Sequence, residues 1–434
     1  MGLVCAAGLA GCSSRSDSAS SSGSASESTD GSTRATGAAD SDLAAASDTA
    51  PTSEDSDRER ETDGTDETDS TDAADAAEDT TAAPEPEPRS GATLSGLAID
   101  AKPDSIAKLG PYGRWVGQQP ATVETFVNGL ESPDQVRRFV EKLLTPIWER
   151  GSVPIVTWMP AYTEPPEDSD PLVDRRIHEG EYDRIIETWA EELAAWTVGS
   201  DGDRAPERRL YFRPAHEMNG NWFPWSATDE TSAEDYIGMW RYVRRIFADT
   251  AMDETNIQWM WAPNADEVGD VDAEAYYPGD EYVDWIGLDG FNFGDVESWS
   301  DWRSPEELFG GMLDRVQAIA DKPIALTEFA STSYYEGEYR PEKKAEWIAD
   351  AYAMIEREDI AMACWFDIDK DGTDESDWAV FGGDRGTATY TDLRTASRYP
   401  VYEEYERTID TSWVLPARPE YPRVLSDEEF RGEF

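Results

Sequence analysis

From residue 93 to residue 367, short apolar runs alternate with longer stretches whose apolar residues recur at helical spacing. The runs cover 94–100, 122–127, 153–160, 210–216, 257–264, 283–291, 323–330 and 360–367. Their length and their β-branched and aromatic content predict buried strands. Between them, residues 133–150 open with Ser132, Pro133 and Asp134, a hydroxyl N-cap followed by proline at the first helical position. Residues 182–198 set Ile185, Ile186, Trp189, Leu193 and Trp196 on one stripe. Stretches 233–249, 305–321 and 341–357 behave alike, whereas the first and fifth crossovers read only weakly as helices.

Alternation of strands and helices predicts a parallel sheet and an α/β class. Eight such units match a closed (β/α)8 barrel. The competing architecture is an open doubly wound sheet, and no Gly-rich phosphate loop supports it. Residues 397–407 read as a last helix and 411–434 as a peripheral tail.

The N-terminal region has a different texture. Residues 13–92 are mostly Ser, Thr, Ala, Asp and Glu with almost no large apolar side chain. Such a segment cannot bury enough surface to offset its ordering entropy, so it is expected to be a disordered, self-repelling linker. Residues 1–12 are small and apolar and end Leu9-Ala10-Gly11-Cys12, which resembles a lipobox with Cys12 as the lipidated residue. Three parts are therefore expected: a signal segment at 1–12, the linker at 13–92 and a catalytic barrel at 93–434. The chain should then sit outside the cell, with a lipid at Cys12 as its single membrane contact.

Charge narrows the partners. With 92 acidic against 37 basic residues, the formal net charge is -55. Such a surface repels nucleic acid and anionic membranes. The excess runs through the foldable part too, which points to adaptation to high salt, where counterions screen self-repulsion. Two histidines and three cysteines, of which only Cys364 lies beyond the linker, exclude a disulfide framework and leave little for zinc. The run Asp367, Asp369, Asp371, Gly372 begins like a calcium loop, but Trp378 stands where the bidentate glutamate belongs. Acidic chains produce such runs by chance, and no metal or cofactor is expected.

In a (β/α)8 barrel the active site lies at the C-terminal ends of the strands. Strand four ends Arg213-Pro-Ala-His216-Glu217-Met-Asn219, with Trp222 and Trp225 close behind, and strand seven ends Thr327-Glu328-Phe329. The two glutamates thus face one rim. Glycoside cleavage needs such a pair: one acid with a raised pKa to protonate the leaving oxygen, one carboxylate to attack the anomeric carbon. Trp158, Trp222, Trp225, Trp261 and Trp365 all fall at or just past strand ends, and an indole can stack on a pyranose face. Arg213, His216, Asn264 and Phe291 complete the expected sugar-binding set. The polysaccharide is the expected partner, and a monomer is expected.

The segment Arg213-Pro-Ala-His-Glu-Met-Asn-Gly-Asn-Trp222 resembles the acid/base segment of glycoside hydrolase family 26, the β-mannanase family. Residues 284–292, 326–330 and 364–367 are similar to its sixth, seventh and eighth strands. The resemblance implies a retaining enzyme with Glu217 as acid/base and Glu328 as nucleophile. It also implies that His216 sits beside them, that Trp222 shapes the subsite next to the cleaved bond, and that Trp365 stacks under the reacting sugar. The family acts on β-1,4-mannans, mixed-linkage β-glucans and β-1,3-xylans, and mannan or mixed-linkage β-glucan is the expected substrate. One position departs: Phe291 stands where the family has a tyrosine bonded to the nucleophile. Tyr334 or Tyr335 could substitute; alternatively, the chain is a non-catalytic carbohydrate-binding surface protein on a decayed barrel.

Overall fold

The computed structural model describes residues 91–161, 169–199, 207–370, 376–419, 421 and 423–434. The lipobox, nearly all of the linker and part of the 367–372 carboxylate run lie outside the described residues. Eight parallel strands form the described barrel: β1 (Thr93–Ile99), β2 (Thr122–Asn128), β3 (Val153–Met159), β4 (Leu210–Pro214), β5 (Ile257–Trp261), β6 (Trp285–Asn292), β7 (Ile324–Ser331) and β8 (Met362–Phe366). Each pairs with the next, and β8 returns to β1 with Leu94 opposite Met362 and Ala98 opposite Phe366, closing a (β/α)8 barrel.

The predicted helices form where the apolar stripes lie. Ser232 and Ser304 cap Ala233–Ala248 and Pro305–Ile319 with reciprocal bonds to Asp235 and Glu307. The 133–150 stretch is three joined pieces, because Pro146 lacks the N–H that a continuous α-helix needs; a π-turn spans Val140–Leu144. The first crossover, expected to be weak, is a full helix, Pro103–Val116: Ile106, Leu109, Tyr112 and Val116 form its buried stripe and Gly117, at φ 77°, ends it. The fifth crossover holds only a 3-10 turn, Ala273–Tyr276.

Two further expectations need correcting. The helix expected at 397–407 runs instead over Glu403–Ile409, and Arg398–Val401 is a short strand paired with Ala388–Thr391. The C-terminal stretch is not peripheral. Its helix Asp427–Arg431 seats Phe430 against Tyr211 and Trp285 at the lower end of the barrel, where the Phe430 carbonyl accepts from the Tyr211 hydroxyl at 3.1 Å.

Side chains alternate between two cores. Leu94, Ile155, Tyr211, Met260, Trp285 and Cys364 fill the barrel interior, while Phe212, Trp259, Leu326 and Trp365 face the helices. Strand β7 breaks the alternation. Leu326 pairs with Ala363 and Phe329 with Trp365, so β7 spends three residues where β8 spends two. The same extra residue appears against β6, between Leu288 and Asp289. This β-bulge turns both Thr327 and Glu328 inward.

Candidate active site

The mouth of the barrel gathers one polar group from almost every strand. Arg213, fully buried on β4, is its centre. Its Nη1 donates to Asp289 Oδ2 on β6 at 2.6 Å and its Nε to Thr157 Oγ1 on β3 at 3.0 Å. Its Nη2 contacts both Glu328 Oε1 and Glu124 Oε1, the latter from β2. Thr327 Oγ1 donates to Asp289 Oδ1 at 2.6 Å. Small residues below make the room: a Cβ on Gly287 would lie 2.6 Å from Thr327 Oγ1.

One guanidinium thus faces three carboxyls, and burial decides how they share its charge. Desolvation pushes Glu124 well above its ordinary range although Arg213 opposes it, and the charges of Glu328 and Asp289 push it further. Asp289 is pushed up to about 7 by burial, against the pull of Arg213. Burial next to Arg213 holds His216 well below its usual value, so its imidazole is neutral. Its Nε2 lies 3.8 Å from Glu328 Oε1, its Nδ1 has no partner among the described residues, and its ring packs on Phe223 at 4.7 Å.

Glu217 sits differently. Past the end of β4 the chain turns irregular, with Ala215 at φ 50° and Glu217 at φ 53°, a left-handed conformation that side-chain-bearing residues adopt at a cost. The Glu217 amide donates to the Ala262 carbonyl at 2.7 Å, which ties the turn to β5. Trp222 Nε1 donates to Glu217 Oε2 at 2.6 Å and Asn264 Nδ2 to Oε1 at 2.7 Å. Asn264 is itself clamped by Asn219, whose amide group exchanges two 2.8 Å bonds with the Asn264 backbone. Burial, then the charges of Asp289 and Glu328, push the Glu217 carboxyl well above its ordinary range despite these two donors. Its setting favours the neutral acid form, and the side chain is sealed to 2% exposure.

Residues 154–333 match the family model of Glycosyl hydrolase family 26. That segment, which carries β3 to β7, is similar to glycosyl hydrolase family 26. Endoglucanase H of Acetivibrio thermocellus is 30% identical over 315 residues, covering 66% of this chain and 31% of that protein. A mannan endo-1,4-beta-mannosidase of Bifidobacterium adolescentis is 36% identical over 132 residues, covering 30% of this chain and 13% of its own length. The chain therefore spans less than a third of either relative. The catalytic domain of an endo-beta-1,4-mannanase of Bacillus sp. JAMB-750 shares the fold, with a TM-score of 0.54 at 19% identity, over 77% of this chain and 91% of that one.

The barrel brings Arg213, His216, Glu217, Trp222, Asn264, Phe291 and Glu328 to the mouth region, but four of the expected sugar-stacking tryptophans are elsewhere. Trp158 lies buried outside the barrel beside Phe212, under Gly129, where a Cβ would fall 2.1 Å from the indole. Trp225 is fully buried, stacks on Phe223 at 4.6 Å and donates to the His216 carbonyl at 2.7 Å, so it props the histidine. Trp261 packs edge-on against Tyr277, away from the interior. Trp365 faces the helices between Trp347 and Tyr405 and donates to the Trp378 carbonyl at 2.9 Å. All four occupy outward strand positions or loops packed over them; the inward neighbour of Trp365 is Phe366, whose ring meets Phe126 at 6.2 Å and Phe291 at 5.2 Å.

Phe291 offers no hydroxyl, and neither Tyr334 nor Tyr335 replaces it: they pack on Tyr339 and Trp302. Arg213 occupies the role of charged neighbour to Glu328. Asp367 turns to the Val380 and Phe381 amides, at 2.8 and 2.9 Å. Glu124, Asp289, Thr157 and Asn219 were not expected at the site. A lone acid inside an apolar strand run, as in 122–128 and 285–292, is the signal that points to the first two.

Proposed function

We propose that this protein is a retaining, endo-acting β-glycoside hydrolase, with Glu217 as acid/base and Glu328 as nucleophile. The observation that carries the reading is the unequal setting of the two glutamates: Glu217 is buried between the Trp222 and Asn264 donors with its carboxyl pushed toward the acid form, while Glu328 lies against the Arg213 guanidinium. Glu328 attacks the anomeric carbon as a carboxylate. The glycosidic C–O bond breaks, and Glu217 gives its proton to the departing oxygen. Glu217, now a carboxylate, then takes a proton from water; the water oxygen attacks the anomeric carbon and releases Glu328. Trp222 and Asn264 hold Glu217 in place through both halves.

The substrate proposed is β-1,4-mannan or mixed-linkage β-glucan. Two relatives support it by their names, an endoglucanase aligned over 315 residues and a mannan endo-1,4-beta-mannosidase aligned over 132. The deciding experiment is reducing-sugar release from glucomannan, galactomannan, lichenan, laminarin and β-1,3-xylan in molar salt, with Glu328→Gln and Glu217→Gln alongside. Release from one polymer, lost by at least about a thousandfold in both variants, is expected. Full activity in either variant sinks the assignment. Proton NMR of the first product should show the β-anomer, because retention follows from the double displacement.

We further propose that the enzyme works outside the cell as a salt-adapted monomer, lipid-anchored at Cys12 and spaced from the membrane by residues 13–92. The Leu9-Ala10-Gly11-Cys12 segment and the net charge of -55 support this. Cys12→Ser should move the protein from the membrane fraction to the medium; unchanged membrane retention would refute the anchor.

A further inference from the structure

Among the described residues only three large hydrophobic side chains are exposed: Trp299, Tyr339 and Leu393. Leu393 lies in a turn beside the short Ala388–Thr391 strand. The Tyr339 ring is covered, with the Arg385 guanidinium 3.3 Å from its centre. Trp299 is 41% exposed, and its one aromatic neighbour among the described residues, Phe293, meets it edge to face at 5.0 Å. The indole therefore keeps an uncovered face.

Its position is fixed by the loop that carries it. Residues 293–304 follow β6 on the C-terminal face of the barrel. Ser300 Oγ donates to the Gly294 carbonyl at 2.7 Å and accepts from the Glu297 amide at 3.3 Å, pinning the turn. Gly294 adopts φ 53°, and a Cβ there would lie 2.4 Å from the Tyr334 carbonyl, so the loop lies tight against the segment after β7. Asn292 Oδ1 accepts from the Gly294 and Arg303 amides and holds both ends of the loop. A large indole on a pinned loop binds with little ordering cost.

Aromatic rings connect this indole to the catalytic mouth. From His216 the line passes to Phe126 at 6.4 Å, Phe366 at 6.2 Å, Phe291 at 5.2 Å, Phe293 at 6.2 Å and Trp299 at 5.0 Å. Asp295 and Asp301 are exposed on either side of Trp299. An apolar ring flanked by hydrogen-bond acceptors matches a pyranose, whose C–H face stacks and whose edge hydroxyls donate.

We infer that Trp299 is the stacking platform of an outer sugar subsite, which takes one pyranose ring of the polysaccharide at a distance from the bond being cleaved. This rests on the proposed glycosidase reading and deepens it: an outer platform gives a reason for internal cleavage of a long chain.

The test is affinity gel electrophoresis in molar salt with glucomannan or lichenan in the gel. It compares Glu328→Gln with the double variants Glu328→Gln/Trp299→Ala, Glu328→Gln/Trp299→Phe and Glu328→Gln/Tyr339→Ala. Trp299→Ala should weaken polymer binding about tenfold, the scale of one aromatic contact. Trp299→Phe should fall between, and Tyr339→Ala should bind like the parent. In the active background, Trp299→Ala should raise KM for polymer more than KM for the shortest cleavable oligosaccharide. Unchanged polymer binding in Trp299→Ala overturns the subsite, and so does an equal loss in Tyr339→Ala. If the wild-type chain cleaves no polymer yet its retardation depends on Trp299, the subsite stands and the glycosidase reading falls.

Discussion

The lower barrel and its mouth are built from the same strands, often two residues apart, yet they are held by opposite means. On β4, Tyr211 points into an interior of Leu94, Ile155, Met260 and Trp285, and Arg213 points into one of carboxyls. Below, contacts are non-directional and each side chain is replaceable by another of similar volume. Above, each buried group depends on a specific partner, because a buried charge left alone costs far more than a lost apolar contact. The two layers should therefore respond very differently to substitutions of similar size.

The largest difference is expected between Arg213→Met and Tyr211→Phe. Arg213→Met leaves Glu124, Asp289 and Glu328 without their cation, a loss of about 3–5 kcal/mol in folding stability. Tyr211→Phe removes one hydrogen bond, to the Phe430 carbonyl, and should cost about 1 kcal/mol. Denaturant unfolding in molar salt measures both. Equal losses would mean that the mouth is not anchored by its ion pairs.

The second difference is in pH dependence. Asp289 in the folded chain titrates at about 7, above the ordinary carboxyl range of the unfolded chain. The native state thus binds this proton more tightly than the unfolded state does. That contribution to stability is complete below about pH 4 and is lost as pH rises through 7, on the order of 4 kcal/mol at most. Asp289→Asn should flatten the decline in unfolding free energy between pH 5 and 8. A variant with the same slope as the wild-type protein would assign the titration to another group.

The lower barrel was legible from the sequence, because apolar runs of strand length followed by amphipathic stretches admit few architectures. The mouth was legible in part. Glu217 and Glu328 end apolar runs, and that was enough to place them on one rim. Strict alternation would have shown Trp365 to lie outside: Cys364 faces in, so Trp365 faces the helices, and Phe366 faces in again to meet Phe126 and Phe291. The same rule fails at Glu328, which reaches the interior through the extra residue in β7, and no local pattern marks that bulge. Glu124 was overlooked because an acid in a chain with 92 acidic residues reads as surface charge; its meaning comes from Arg213, which is 89 positions away and faces it only in the closed barrel. The tail at 411–434 lacked a long apolar run, and its docking depends on a cavity that exists only once the strands have closed.

Two tryptophans sharpen the comparison further. Trp222→Phe removes the N–H that favours the ionised form of Glu217, so it should move the alkaline limb of kcat to higher pH and lower turnover about tenfold. Trp365→Phe removes a bond to the Trp378 carbonyl and some packing against the helices. It should cost about 1–2 kcal/mol of stability and leave KM unchanged. A raised KM in Trp365→Phe would restore that residue to the sugar site.

The smallest effect is expected at Glu124, although it is fully buried beside the central arginine. Burial pushes its carboxyl well above the ordinary range, toward the uncharged form, although Arg213 opposes it. A glutamine has the same shape. Its carbonyl oxygen can take the place of Oε1, which receives the Thr157 hydroxyl and Arg213 Nη2, and its amide nitrogen the place of Oε2, which has no partner among the described residues. Glu124→Gln should therefore change stability at pH 6 by no more than about 1 kcal/mol, whereas Glu124→Ala, which opens a cavity beside Arg213, should lose about 2–3 kcal/mol. As pH rises, the wild-type carboxyl must release its proton into a site that already holds Asp289 and Glu328, and the glutamine has none to release. Glu124→Gln should thus become the more stable protein at alkaline pH. If it instead loses as much as Glu124→Ala at pH 6, Glu124 is ionised in the native state, and the mouth carries one more negative charge than its single guanidinium can offset.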